Sequence, residues 1–210
     1  MKVTLLGDSI RRIGYGTLVP KLLGSEYELY QPEENCRYSK YTLRGLFDWR
    51  KDMEGSRIVH WNNGLWDVCN LYGDGAFSTE NEYVENMLRI ADLLLLNHDK
   101  VIFATTTPVR EGNMHNTKSF IVNSLVERYN EIIVPLLEEK GVIINDLYSV
   151  VTKDVDCYIN KEDNIHLTEE GAKVCAMYVA DIIKNTAHTL DESKPIVKCN
   201  ISQNQMGLPV

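Results

Sequence analysis

Long apolar runs and paired cysteines are both missing from this sequence. No apolar segment approaches the roughly 20 residues that cross a bilayer as a helix. The 210 residues include five cysteines, and no two of them form a C-x-x-C pair. We therefore expect no disulfide framework, no metal site and no bound cofactor. Apart from Asp163 and His166, no His, Cys or carboxylate residues have the spacing of metal ligands. The cysteines fit a reducing cytoplasm, where most of them would be small apolar fillers.

Basic charge is also scarce, with 22 Lys and Arg against 30 Asp and Glu and a net charge of −8. Without a basic face, we expect neither general binding to nucleic acid nor binding to an anionic membrane surface. The residues before the first charged turn are too few for a signal-peptide core. Repeats and low-complexity segments are absent. We therefore expect a cytoplasmic protein without a nucleic-acid or membrane partner.

Apolar, β-branched segments alternate with longer amphipathic ones along most of the chain. Strands are predicted at 3–6, 27–30, 57–61, 101–106 and 142–145. Helices are predicted at 15–23, 41–53, from Thr79 onward, at 119–140 and at 168–185. Thr79-x-x-Glu82 has the form of a capping box, and Pro135 should kink or interrupt its helix. The alternation predicts one α/β domain over residues 1–187, with five mainly parallel strands between two helical layers. The tail at 188–210 should pack on the body or against a partner.

Polar clusters follow the first three strands, and another precedes the last helix. Parallel sheets place ligands at the carboxyl ends of their strands, so all four clusters can meet at one edge. Ester hydrolysis by a serine needs a base to take the hydroxyl proton and a carboxylate to orient that base. Ser9 follows the first strand, and Asp163 lies three residues before His166. The four clusters are Gly7-Asp8-Ser9, Asn35-Cys36-Arg37-Tyr38-Ser39, Asn62-Asn63-Gly64 and Asp163-Asn164-Ile165-His166.

Over residues 3–185 the sequence resembles the SGNH (GDSL-type) hydrolases, which are serine esterases and lipases with a flavodoxin-like α/β/α fold. The G-D-S block at the start and the D-x-x-H block near the end match that family cleanly. The resemblance implies that Ser9 is the nucleophile and that its backbone N–H is an oxyanion donor. It also implies that His166 is the base and Asp163 its orienting partner.

The two middle blocks depart from the family pattern. Aligning N-x-G-x-S with the second cluster places Arg37 where the family has a glycine whose N–H enters the oxyanion hole. Arginine can supply that N–H only if the backbone conformation does not require glycine. Aligning G-x-N-D with the third cluster selects Asn63 as the oxyanion amide, with Asn62 as a rival. Another register, ending at Asp67, would lose the asparagine.

Five residues near these blocks are candidates for a substrate pocket. Arg11 either holds an acidic or sugar substrate or is a solvated or paired charge. The two aromatic candidates either stack on sugars or acyl groups or belong to the core. We expect Asp8 to brace the serine by hydrogen bonding. The candidates are Asp8, Arg11, Tyr38, Asn62 and Trp66.

The function expected from these features is serine-dependent hydrolysis of a small-molecule carboxylic ester. The absence of an apolar lid favours a short acyl group, such as acetyl on a carbohydrate. Alternatives are a lysophospholipase or thioesterase, transfer of the acyl group to another acceptor, and a binding module that has lost catalysis. The oligomeric state is left open, with a homodimer as one option.

Overall fold

Five short strands form one parallel sheet in the order β2–β1–β3–β4–β5. In this computed structural model, which describes residues 1–111 and 120–191, every strand pair is parallel. Leu6 pairs with Trp61 and Ala104 with Asn145, so the strands end at a common edge. The strands are β1 (Lys2–Leu6), β2 (Glu28–Tyr30), β3 (Ile58–Trp61), β4 (Lys100–Ala104) and β5 (Ile143–Asn145).

Two groups of helices cover the sheet and complete the expected α/β/α sandwich. In one group α4 packs against α2 and α5, and in the other α8 packs against α1, α6 and α7. None of the helices in residues 1–111 and 120–191 is long and apolar enough to cross a membrane. The helices are α1 (Val19–Leu23), α2 (Ser39–Asp48), α3 (Arg50–Met53), α4 (Glu80–Asn97), α5 (Asn123–Glu139), α6 (Leu147–Thr152), α7 (Val155–Tyr158) and α8 (Glu169–Ala187).

The central strands are buried on both faces, as expected when helices cover a parallel sheet twice. All four residues of β3 are buried, and so are the last four of β1 and of β4. Cys36, Cys69 and Cys175 lie in this interior. Cys175 agrees with the expected use as an apolar filler, whereas Cys36 Sγ accepts a hydrogen bond. Cys157 is exposed, and Cys199 lies outside the described residues.

The region after β1 differs from the helix predicted at 15–23. A five-residue π-helix (Ile10–Gly14) comes first, a 3-10 turn (Tyr15–Thr17) follows, and α1 begins only at Val19. Pro20 explains the late start, because proline is tolerated in the first turn of a helix but not in its interior. The predicted helix at 41–53 likewise divides into α2 and α3 at Trp49.

The starts of the other long helices agree better with prediction. Thr79 and Glu82 form the expected capping box at α4, and Thr168 caps α8 by accepting from the Gly171 N–H at 3.0 Å. Pro135 was expected to kink or interrupt its helix. It lies inside α5, which is not interrupted there. Residues 112–119, which include the start of the helix predicted at 119–140, and residues 192–210 of the tail lie outside the described residues.

Candidate active site

Ser9 lies in a tight turn between the end of β1 and the π-helix. The serine is half-buried and occupies the N-cap position of that helix. A Cβ atom on Gly7 would lie 2.1 Å from Asn62 Oδ1, so only glycine fits there. Cys36 donates its N–H to the Gly7 carbonyl at 3.1 Å, and the Gly7 N–H donates to Cys36 Sγ at 3.2 Å. The turn is therefore fixed to the segment that follows β2.

Asp8 is buried beneath Ser9 and accepts a hydrogen bond from the Ile10 N–H at 2.9 Å. Burial raises the pKa of Asp8 above its ordinary value, while Asn62, the Ile10 N–H, Arg11 and the charge of His166 act in the opposite direction. These contacts are those of a carboxyl that supports the turn from inside, as the sequence predicts.

Asp163 and His166 are joined by the hydrogen bond that a serine-activating base requires. His166 Nδ1 lies 2.8 Å from Asp163 Oδ2. Asp163 Oδ1 accepts from the N–H groups of Ile165 and His166, each at 2.9 Å. Partial burial raises the pKa of Asp163, but these donors outweigh it and bring the pKa below its ordinary value. The carboxylate is thus held in the charged form that orients an imidazole.

The loop that carries this pair lies against the helix that follows Ser9. A Cβ atom on Gly14 would lie 3.3 Å from Leu167 Cδ1, and α8 contacts the π-helix. Asp8 lies close enough to His166 for a positive charge on the imidazole to lower the pKa of Asp8. Ser9 and His166 share no hydrogen bond in the structure, and catalytic hydrogen bonds are often long before substrate binds. The fold therefore brings the three residues into one region without closing the serine–histidine contact.

Arg37 and Asn63, the two oxyanion donors expected from the middle blocks, contact each other directly. Asn63 Nδ2 donates to the Arg37 carbonyl at 2.9 Å, and Asn63 is fully buried. Arg37 has a φ of 52°, in the left-handed region where glycine is favoured. Its N–H already donates to Asn35 Oδ1 at 2.7 Å. Because that N–H already has an acceptor in the unliganded structure, the geometry does not favour its expected oxyanion role.

The neighbouring asparagines have different surroundings. The Asn63 carbonyl accepts from Thr106 Oγ1 at 2.9 Å and from the Tyr83 hydroxyl at 3.2 Å. Asn62 is 5% exposed, and its Oδ1 accepts from the Tyr15 hydroxyl at 2.8 Å. Asn62 therefore supports the serine turn from within and does not line a substrate pocket, contrary to expectation.

Arg11 does not line a substrate pocket either, contrary to one of its two expected roles, because its side chain is 1% exposed. The guanidinium donates to the carbonyls of Pro32, Gly7 and Glu34 at 2.8, 3.0 and 3.0 Å. These bonds join the serine turn to the segment after β2. Asp8 is likewise too deeply buried to face a substrate in this structure.

Tyr38 is the predicted pocket residue that does border an open space, here named the aromatic cleft. Its ring meets Phe77 edge-on at a centroid distance of 4.9 Å. Trp66 is 40% exposed but lies outside this cleft. The cleft has a volume of about 200 Å³ and is lined by Tyr38, Lys40, Phe77, Ser78, Glu82 and Asn86.

Asp67 is a buried carboxyl whose importance sequence reasoning missed. It accepts from the Ser39 N–H at 3.0 Å and from the hydroxyls of Ser39 and Ser78, each at 2.7 Å. Burial raises the pKa of Asp67 to about 6, although these donors lower it. The carboxyl thereby joins the start of α2 to the loop after β3. An aspartate between the apolar Leu65 and Val68 was the available signal.

Nothing in residues 1–111 and 120–191 groups three or more His, Cys, Asp or Glu side chains in a way that could hold a metal ion.

Two curated proteins resemble the chain along much of its length. The GDSL esterase/lipase CPRD49 of Arabidopsis thaliana is 31% identical over 211 residues, covering 87% of this chain and 78% of that protein. The GDSL esterase/lipase WDL1 of Oryza sativa subsp. japonica is 30% identical over 163 residues, covering 71% and 62%. The chain belongs to the GDSL esterase/lipase family. It spans less than two thirds of the rice protein's length, and no family model matches it.

Solved structures agree with this family membership at the level of the fold. The acetyl xylan esterase AlAXEase superposes with a TM-score of 0.68 at 21% identity, covering 89% of this chain and 99% of that one. The lipase/acylhydrolase from Enterococcus faecalis has a TM-score of 0.69 at 17% identity, covering 88% and 96%. At these identities the likeness concerns the α/β/α architecture alone.

Asp163 and Asp8 should respond differently to replacement by asparagine. In D163N the amide can no longer orient the histidine as a carboxylate does, so kcat should fall by about 10⁴-fold. In D8N the Ile10 N–H keeps an acceptor, so the loss should be less than about tenfold, the worth of one hydrogen bond. Steady-state kinetics on an ester substrate measures both. Equal losses would make Asp8 part of the acid–base machinery.

Asp67 should make the free energy of unfolding depend on pH. A carboxyl whose pKa is raised on folding stabilises the protein below its ordinary pKa of 3.8 and loses that contribution as the pH rises through about 6. Relative to D67N, the wild type should lose about 2 kcal/mol of unfolding free energy between pH 4 and pH 7. Urea denaturation across this range measures the difference.

The control for this measurement is D74N, which changes an exposed aspartate of the same loop. Its stability should follow the wild-type pH dependence. A constant difference between wild type and D67N across the range would show that Asp67 has the same pKa in the folded and unfolded chains.

Proposed function

We propose that this protein is a serine-dependent carboxylic ester hydrolase. The observation that carries the proposal is the 2.8 Å hydrogen bond between His166 Nδ1 and Asp163 Oδ2, on a loop that packs against the helix following Ser9. Membership of the GDSL esterase/lipase family supports it, since the residue order and positions match the nucleophile and base of such enzymes. The proposal assigns to Ser9, His166 and Asp163 the roles of nucleophile, base and orienting acid.

In the proposed reaction, Ser9 Oγ attacks the ester carbonyl while His166 Nε2 takes the hydroxyl proton. The negative oxygen that forms would be held by the Ser9 N–H, the Asn63 side-chain amide and the Arg37 N–H. Collapse of the tetrahedral intermediate transfers the proton from His166 to the leaving alcohol. Water, activated by the same imidazole, then attacks the acyl-enzyme and releases the acid and free Ser9.

For the substrate, we propose a short acyl ester, such as an acetyl group, on a carbohydrate. The aromatic cleft supports this choice because one of its lining residues, Tyr38, directly follows Arg37, whose N–H is a proposed oxyanion donor. Ring faces and polar groups together suit a sugar, which has an apolar face and a rim of hydroxyls. The polar lining residues are Lys40, Ser78, Glu82 and Asn86. One similar fold is that of an acetyl xylan esterase.

A binding module without catalysis is the second candidate, and one observation favours it. The Arg37 N–H is already bonded to Asn35 Oδ1, so one expected oxyanion donor is engaged. The hydrogen-bonded Asp163–His166 pair argues for catalysis, because a module that only binds has no need of it. A lysophospholipase or thioesterase would use the same residues and differ in the acyl pocket.

Hydrolysis of p-nitrophenyl acetate, butyrate and octanoate by wild type and S9A tests the proposed activity. Wild type should be most active on acetate and lose activity as the acyl chain lengthens. S9A should fall by about 10⁶-fold in kcat, because the nucleophile is gone. A fluorophosphonate probe should label wild type alone. An inactive, unlabelled but folded wild type would favour the binding module, and a preference for octanoate would favour a lipase.

The carbohydrate part of the proposal predicts that F77A raises KM for an acetylated xylooligosaccharide by about fivefold to tenfold, from the loss of one stacking contact. KM for p-nitrophenyl acetate should not change, because that substrate is too small to fill the cleft. F47A is the matched control, since Phe47 is 59% exposed at the other end of α2. If F77A and F47A behave alike on both substrates, the sugar does not lie in the cleft.

A further inference from the structure

Arg110 lies after β4 and is bonded to the segment that leads into the proposed acid–base pair. Its side chain is 13% exposed. Through Nη2 it donates to the carbonyls of Val155, Asp156 and Ile159 at 2.9, 3.0 and 3.1 Å. Its Nη1 also pairs with the carboxylate of Asp156, which is itself 82% exposed. One guanidinium therefore holds three backbone carbonyls of α7 and its end.

The backbone of Arg110 reaches the far side of the same loop. Its N–H donates to the Asn164 carbonyl at 2.9 Å, one residue after Asp163. The base of the loop is closed by a bridge between Ile159 and Leu167. Arg110 thus bonds both the entry of the 159–167 loop and its tip.

Apolar contacts hold one side of this loop, because Ile159 is buried in the core and Ile165 and Leu167 pack against it. An open cavity of about 460 Å³ lies between the segment after β4 and α6–α7, and Arg110 is among its lining residues with Lys153, Asp154 and Asp156. The polar contacts of Arg110 cross this space. Loss of the side-chain contacts would leave the loop held by the Arg110 N–H, by its own bridge and by these apolar contacts, without the guanidinium that fixes its entry.

We propose that Arg110 is a positioning residue that holds the 159–167 loop so that His166 faces Ser9. The inference rests on the proposed function and adds to it a residue that contacts neither substrate nor reacting atoms. It explains why a nearly buried arginine is placed beside backbone carbonyls. A substrate anion is not its expected partner, since both terminal nitrogens already donate within the protein.

Lysine should not replace Arg110 fully. A guanidinium presents several donors in a planar array, whereas an ammonium group is a strongly hydrated point charge with a different geometry. R110K should therefore keep the charge and part of the bonding, and R110M should keep the length of the stem while losing every side-chain hydrogen bond.

The test compares wild type, R110M, R110K and D156N on p-nitrophenyl acetate. R110M should lower kcat by about tenfold to a hundredfold, with KM within about twofold, because a small misplacement of a catalytic group has a large effect on rate. R110K should lie between R110M and wild type. D156N is the matched control: it removes the exposed carboxylate, leaves the three carbonyls, and should be close to wild type.

A second readout does not depend on turnover. Hydrogen exchange should become faster at residues 159–167 in R110M and stay at the wild-type level in D156N. The downfield proton resonance between His166 Nδ1 and Asp163 should broaden or disappear in R110M alone. Thermal unfolding of each variant shows whether the remaining protein is folded.

The outcomes separate this inference from the proposed activity. A folded R110M with wild-type kcat and unchanged exchange at 159–167 would overturn the positioning role. If the wild type itself hydrolyses no ester, the proposed function fails and the exchange and proton resonance still decide whether Arg110 holds the loop. If R110M does not fold, R110K provides the same comparison, and a kcat and exchange equal to wild type would refute the proposal.

Discussion

The buried Arg11 guanidinium joins the turn that carries Ser9 to the segment that carries Arg37. It donates to the carbonyls of Gly7, Pro32 and Glu34, and its side chain is closed off from solvent. A buried positive charge is costly unless hydrogen bonds compensate it, and breaking such contacts leaves the remaining groups unpaired. The relative position of the serine and the proposed oxyanion segment therefore depends on this side chain together with the two hydrogen bonds between Gly7 and Cys36.

Asp67 has a comparable place on the other side of the site. It ties Ser39, at the start of α2, to Ser78, at the end of the loop after β3. Short strands alone cannot set the distance between loops that extend beyond the sheet. Buried polar contacts fix that distance because each unmade bond in a low-dielectric interior is expensive. The sheet thus brings the segments to one edge, and charged groups beneath the surface set their spacing.

The sequence allows the sheet, the long helices and the candidate triad to be predicted because each has a local signal. Apolar periodicity marks the strands, Thr79 and Glu82 mark a helix start, and Asp163 lies three residues before His166. The partners of Arg11 have no local signal: the Pro32 carbonyl is 21 residues away. An arginine beside a turn is usually solvated, so only the folded chain shows that carbonyls surround it.

The engaged Arg37 N–H is compatible with a role that appears only during reaction. In the unliganded site it donates to Asn35 Oδ1, a neutral amide oxygen. A developing oxyanion is charged and accepts a bond roughly twice as strong. Sharing or exchanging the N–H would therefore favour the transition state over the bound ester, whose carbonyl is a neutral acceptor like the amide. A donor with a neutral internal partner contributes in this way to rate more than to ground-state binding, as differential stabilisation requires.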